Sequence, residues 1–245
     1  MPDALIFDVD GTLSETEELH RQAFNRAFEE AGLPWHWDRE LYRDLLTVTG
    51  GKERLAHFIA NYAPTYTTGV SVAALHAAKT DCYAAMVADG TIGLRPGVVR
   101  LLREAQRSGI KLAIATTTGL PNVASLLKAT LGSDAIDAFA AIGAGDIVAA
   151  KKPAPDVYHY VLNQLGVPAE RCLAIEDSCN GLAAARAAGI PTVVTPSLYT
   201  EHEAFSDALA VLSDLGDAGA PYRHLAGKGE TETMVTIAGL ERWLA

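Results

Sequence analysis

The chain has 245 residues, too many for one minimal domain and suited to a moderate core carrying one inserted unit. Hydrophobic residues make up 49%, enough for a well-buried interior, yet no run approaches the ~18 apolar residues of a membrane span. A formal net charge of −10 argues against nucleic acid or an anionic membrane as partner, since both demand a basic face.

Residues 4–7, Ala-Leu-Ile-Phe, form an uninterrupted apolar run of strand length, as in a parallel sheet buried on both faces. It ends in Asp8-Val9-Asp10-Gly11-Thr12, with no basic or apolar leader ahead of it to act as an export signal. The periodicity of Leu19, Ala23 and Ala27 predicts a helix from Ser14 to Ala31, closed by Gly32 and opened by Ser14-x-x-Glu17, a capping box. Polar and aromatic segments through Trp35, Trp37 and Tyr42 follow, then Gly50-Gly51 and helical stretches near 52–62 and 71–88. No strand interrupts them, so residues 15–89 are expected to form an all-helical cap, hinged near Ser14–Glu15 and Gly90–Arg95.

From Pro96 helices and strands alternate, which predicts a parallel sheet with crossovers built from residues 1–14 and 90–245. The expected helices are 96–108, 121–131, 155–165 and 181–188, each stopped by a glycine, and the expected strands are 111–116, 139–142, 173–176 and 192–195. Residues 216–232 read as a loop, and 238–244 as a last helix. The fold class is therefore α/β: a Rossmann-like parallel core with helices on both faces plus a helical cap inserted after the first strand. Cys82, Cys172 and Cys179 lack CxxC or metal-type spacing, which points to small apolar roles in a reducing compartment, the cytoplasm.

Chemistry-bearing residues collect where the strands end, the edge at which open α/β sheets bind ligands. Asp8 and Asp10 repel at such close spacing unless a cation lies between them, and magnesium is the natural one. Thr116, with Thr117 and Thr118, ends a strand and offers hydroxyls and free amides to a phosphate, although on its own such a run reads first as a turn or helix start. Lys152 precedes a proline-opened helix, where it can neutralise a nucleophile and an incoming phosphate. Glu176 and Asp177 end another strand as hard oxygen ligands; Asp177-Ser178 also suits a helix N-cap. In the cap, Gly50-Gly51-Lys52-Glu53-Arg54 places free amides beside two cations at a helix start, which suits a second phosphate. It is no P-loop, because Glu53 stands where Ser or Thr is needed.

Asp8-x-Asp10-Gly11-Thr12 matches in full the first motif of the haloacid dehalogenase-like hydrolases, and Lys152-Pro153-Ala154-Pro155-Asp156 is similar to their third. That resemblance implies Asp8 as nucleophile and Asp10 as general acid and base. It implies Mg2+ held by Asp8, the Asp10 carbonyl and Asp177, with Glu176 behind or sharing the metal, and it leaves Lys151 at the surface. Nearly the whole length looks most like the CbbY type, through Glu15-Thr16-Glu17-Glu18-Leu19-His20, Trp37-Asp38, Tyr42, Gly50 to Arg54, Lys79, Ala115 to Thr118 and Lys151 to Asp156. CbbY-type phosphatases accompany the Calvin cycle and convert xylulose 1,5-bisphosphate to xylulose 5-phosphate. The implied partner is a small phosphorylated sugar, with Glu17 and His20 meeting it at the hinge, and Lys52, Arg54 and Lys79 holding its distal phosphate. A monomer is the default expectation. Glu17 has a competing explanation in the capping box, and around residues 61–72 the cap departs from the family pattern. The nearest rival is a sugar phosphomutase of the β-phosphoglucomutase type. A receiver-type phospho-acceptor module is weaker, since receivers are about half as long and lack the helical insert.

Overall fold

The computed structural model describes residues 1–64, 69–90 and 92–245. Its centre is strand β1 (Ala4–Phe7), whose apolar run is buried on both faces. Leu5 and Phe7 point into a cluster with Leu101, Leu126 and Trp243, while Ala4 and Ile6 point into a second cluster with Val157, Val161 and Ala185. This is the period-2 alternation of a strand, with apolar residues on both sides because helices cover both.

Strands β2 (Lys111–Thr116), β3 (Ala141–Ala144), β4 (Cys172–Glu176), β5 (Thr192–Val194), β6 (Ala210–Leu212) and β7 (His224–Gly227) complete a seven-stranded sheet of order β3-β2-β1-β4-β5-β6-β7. All neighbours are parallel except β6 and β7. β1 pairs β2 on one side and β4 on the other, with Phe7 level with Ile114 and Ile175. The chain therefore reverses its direction of sheet growth at β1, and the crevice beyond that strand's carboxyl end is where a ligand fits.

Between β1 and the helix α5 (Val98–Arg107) lie α1 (Glu17–Glu30), α2 (Arg39–Leu45), α3 (Gly51–Tyr62) and α4 (Val72–Ala88), with no strand among the described residues. They enclose their own aromatic cluster, in which Trp37 lies 4.5 Å from Phe24 and 5.1 Å from Phe28, ring centre to ring centre. The sheet is flanked by α6 (Leu120–Leu131), α7 (Asp156–Leu165), α8 (Cys179–Ala187) and α9 (Ile237–Leu244). No helix among the described residues is long and apolar enough to cross a membrane.

The two connections to the helical insert run side by side. Ser14 Oγ donates to the Gly93 carbonyl at 2.6 Å, and the Arg95 amide donates to the Leu13 carbonyl at 2.9 Å. The Arg95 guanidinium donates to the carbonyls of Gly11, Thr195 (2.7 Å), Pro196 (2.8 Å) and Ser213 (2.9 Å) and pairs with Glu15 at 3.3 Å.

Several expectations need correction. The capping box is absent: α1 begins at Glu17 behind Thr16, Ser14 is spent on Gly93, and Glu17 accepts from Tyr42. The third strand lies two residues later than expected, because 135–138 form a 3-10 turn that seats Phe139 in the core before pairing starts at Ala141. β7 occupies part of the expected loop 216–232; it is an edge strand with one flank unpaired, so it carries no apolar alternation to betray it. α2 is seven residues long, too short for a periodic signal, and is marked only by its N-cap Asp38, which accepts from the Leu41 amide. Within 61–72, where the cap was expected to depart from pattern, residues 65–68 lie outside the described residues.

Candidate active site

The β1 run drives Asp8 to the sheet edge, where its amide donates to the Ile175 carbonyl of β4 at 3.0 Å. Gly11 then turns the chain back with φ +78, a conformation that favours glycine. A Cβ on Gly11 would also lie 2.1 Å from Asp177 Oδ2, so the turn packs against the acid that follows β4.

Lys152 is 4% exposed and all three of its ammonium hydrogens are committed: to Asp8 Oδ1 at 2.7 Å, Glu176 Oε1 at 2.6 Å and the Ala115 carbonyl at 2.8 Å. Burial works against its charge, but Asp8 and Glu176 outweigh it and hold the ammonium protonated above the usual lysine range. Asp8, Glu176 and Asp177 each place an oxygen within 4.8 Å of the others. Burial pushes the Asp8 carboxyl up to about 8 despite Lys152, and burial together with Asp8 drives Asp177 well above the carboxylate range. Three buried acids against one ammonium leave an excess of negative charge that a hard divalent cation would offset, and the oxygen donor set fits one. Glu176 is the exception. Its Oε1 accepts from Lys152 and from the Tyr158 hydroxyl, while Oε2 faces Gly181 of α8, so closely that a Cβ there would lie 1.9 Å away. Oε1 is thus committed to Lys152 and Tyr158, and the buried Oε2 has no hydrogen-bond partner among the described residues.

Asp10 is engaged on both oxygens. Oδ1 accepts from Thr16 Oγ1 at 2.5 Å and from His20 Nε2 at 2.9 Å, and Oδ2 accepts from the Thr118 hydroxyl. Burial would raise this carboxyl, but His20, Thr118 and Thr16 together hold it well below the usual range. Lys79 Nζ lies 2.5 Å from His20 Nδ1; an ammonium can only donate, so Nδ1 accepts and Nε2–H points to Asp10. Burial lowers Lys79 itself to about 8.

These groups surround one cavity of about 310 Å³, which both halves of the molecule line. A family model for haloacid dehalogenase-like hydrolases matches residues 2–189. The chain belongs to this family. Protein CbbY of Cupriavidus necator is 52% identical to this hydrolase over 245 residues, covering 98% of this chain and 96% of the relative. A crystal structure of a CbbY variant from Rhodobacter sphaeroides in complex with xylulose 1,5-bisphosphate superposes with TM-score 0.85 at 50% identity, covering 89% of this chain and 98% of the other. With such relatives, this hydrolase is a phosphatase. A β-phosphoglucomutase from Clostridium difficile shares the fold (TM-score 0.75, 100% of this chain and 97% of the other) at 18% identity.

Of the residues singled out from sequence, Asp8, Asp10, Glu17, His20, Gly50, Gly51, Lys52, Arg54, Lys79, Thr116, Thr117, Thr118, Lys152 and Asp177 all line the cavity, and Glu176 lies behind it. Thr116 Oγ1 accepts from the Thr118 amide at 3.1 Å, which shapes the turn at the end of β2. Glu17 Oε2 accepts from the Tyr42 hydroxyl, which in turn accepts from Arg54. Arg54 is buried, with Nε shared between the Leu45 and Val48 carbonyls. Lys52 crosses to the sheet half and pairs with Asp146 at 2.5 Å. Lys151, expected at the surface, is largely covered and joins the same acid at 2.9 Å.

Sequence reasoning missed Asn122, His76, Asp146 and Tyr158. Asn122 is buried in the cavity wall, and its Oδ1 has no hydrogen-bond partner among the described residues. His76 stands three residues before Lys79 on α4, a spacing that puts the two on one helix face. Burial and the neighbouring Lys79 and Lys52 lower its imidazole to about 4. Asp146 and Tyr158 carry no local signal, since each is defined by partners far away in the chain.

Proposed function

We propose that this phosphatase removes one phosphate from a sugar bisphosphate, xylulose 1,5-bisphosphate, to give xylulose 5-phosphate, in a magnesium-dependent reaction through an aspartyl phosphate on Asp8. The observation that carries the reading is the two-ended cavity. One wall holds Asp8, Lys152 and Asp177; the other presents Lys52, Lys79 and the Gly50-Gly51 turn at the start of α3. A cavity of that size with cations at both ends suits a short sugar bearing two phosphates. The CbbY relative that binds xylulose 1,5-bisphosphate supports the same substrate.

The carboxylates of Asp8 and Asp177 and the main-chain carbonyl of Asp10 would hold the magnesium ion. When bound it neutralises charge on the transferring phosphoryl group. Asp8 attacks phosphorus in line as the P–O bond to the sugar breaks. Lys152 offsets the charge on Asp8 and the phosphoryl oxygens, with its position fixed by Glu176 and Ala115. Asp10 protonates the departing alkoxide, then takes a proton from the water that cleaves the aspartyl phosphate. Lys79, His20 and Asp10 form a continuous path for the first proton: Lys79 protonates Nδ1 while Nε2–H passes to Asp10. Asp10 hands that proton on from Oδ1, while Thr118 holds Oδ2 in place.

The test is phosphate release with magnesium across sugar mono- and bisphosphates, for the native protein and for Lys52→Ala. The expected result is that xylulose 1,5-bisphosphate leads in kcat/KM and that Lys52→Ala erases the lead. Equal turnover of monophosphates would remove the substrate assignment, and an isomerised sugar phosphate without free phosphate would replace it with the mutase reading.

A further inference from the structure

The turn after β5 joins the acidic cluster to the interior of the helical insert. Thr200 Oγ donates to the Asp177 carbonyl at 2.7 Å and accepts from the Ser197 amide at 2.9 Å and the Ser197 hydroxyl at 3.0 Å, so its one donor and both acceptor sites are used. Its neighbour Tyr199 points the other way. Although carried by the sheet half, it is 5% exposed and belongs to the insert's own aromatic cluster. Its ring meets Tyr42 edge-on with centroids 5.6 Å apart, and its hydroxyl donates to Glu18 Oε2 of α1 at 2.6 Å. Tyr42 leads on to Glu17 in the cavity wall. One chain of contacts therefore runs from Asp177 through Thr200, Tyr199 and Tyr42 to Glu17.

From this geometry we infer that Tyr199 is a positioning residue that sets the placement of Asp177 by anchoring the turn after β5 in the core of the helical insert. The Tyr199 ring is fixed in the insert's core, and the Thr200 hydroxyl one residue later holds the main-chain carbonyl of Asp177. A ligand that spans the cavity bears on both halves joined by this link, whereas a small phosphate ester that fills only the sheet side does not engage the insert. Tyr199 thereby contributes to discrimination between substrates without touching one.

The inference rests on the reading of Asp177 as a metal holder, and the experiment separates the two. Mn2+ binding is followed by electron paramagnetic resonance, without sugar, in the native protein, Y199F, Y199A and F58L. The last variant trims the same aromatic cluster away from the turn. Y199A is expected to weaken Mn2+ about tenfold and Y199F less, with F58L unchanged. A native protein that binds no Mn2+ would remove the metal role of Asp177. Unchanged affinity in both Tyr199 variants, or equal weakening by F58L, would overturn the coupling. The second readout stands apart from metal affinity: at saturating magnesium, Y199A should lower kcat/KM for the leading sugar bisphosphate about tenfold and leave p-nitrophenyl phosphate turnover unchanged. A loss shared by both substrates, or by neither, overturns the inference.

Discussion

Lys152 and Lys52 face the same cavity and live under opposite physical rules. Lys152 is 4% exposed with three fixed acceptors in the sheet half, whereas the Lys52 side chain is 45% exposed and pairs with an acid that is itself 62% exposed. A buried ion held by several partners is costly to disturb, because removing it strands the opposite charges in a poor solvent. A surface pair is nearly free to exchange Asp146 for a phosphate, since water competes for both partners in any case. Lys152 is thus fixed in one place, whereas Lys52 can change partners at little cost.

The sharpest way to break that contrast is at the nucleophile. Asp8→Asn should abolish turnover, by at least about 10⁴-fold, with no phosphorylated enzyme seen by mass spectrometry. Lys152→Met should follow. It leaves Asp8 and Glu176 facing each other in the interior, and a loss of about 3–5 kcal/mol is expected, read as a lower melting temperature as well as lost activity. A stability change below about 1 kcal/mol would mean that the two lysines are not so different.

Lys79 sharpens the comparison from the insert side, because it is buried there. Burial lowers it to about 8 from an ordinary 10.5, so the folded protein loses this charge as pH rises through 8. The KM for a sugar bisphosphate should therefore rise above pH 8, and Lys79→Met should flatten that limb. The stability sign is opposite. Between pH 8 and 10.5 the unfolded chain binds the proton and the folded one does not, so this group's contribution to stability rises with pH across that window. The smallest effect belongs to Asp146→Asn, expected to change stability by less than about 1 kcal/mol and to make KM less sensitive to added salt.

Much of the sheet half was legible in the chain because its signals are local. An apolar run followed by Asp8-Val9-Asp10-Gly11, a proline-bounded lysine and a strand ending in Glu176-Asp177 each state their chemistry within a few residues. What stayed hidden depends on contacts distant in sequence. Nothing near Glu176 indicates that Gly181 and Tyr158 turn its oxygens inward, and nothing near Ser14 reveals that Gly93 claims its hydroxyl. Tyr199 lies outside every motif, since its meaning comes from an insert that begins far upstream.

The Arg95 guanidinium has a mechanical consequence. Because it donates to carbonyls of the Gly11 turn and of the segments after β5 and β6, the loop that bears Asp10 is tied to the sheet half at several points. The insert is joined to the sheet half by two strips of chain tied to each other through the Ser14–Gly93 and Leu13–Arg95 hydrogen bonds, so a load on one strip is shared by the other.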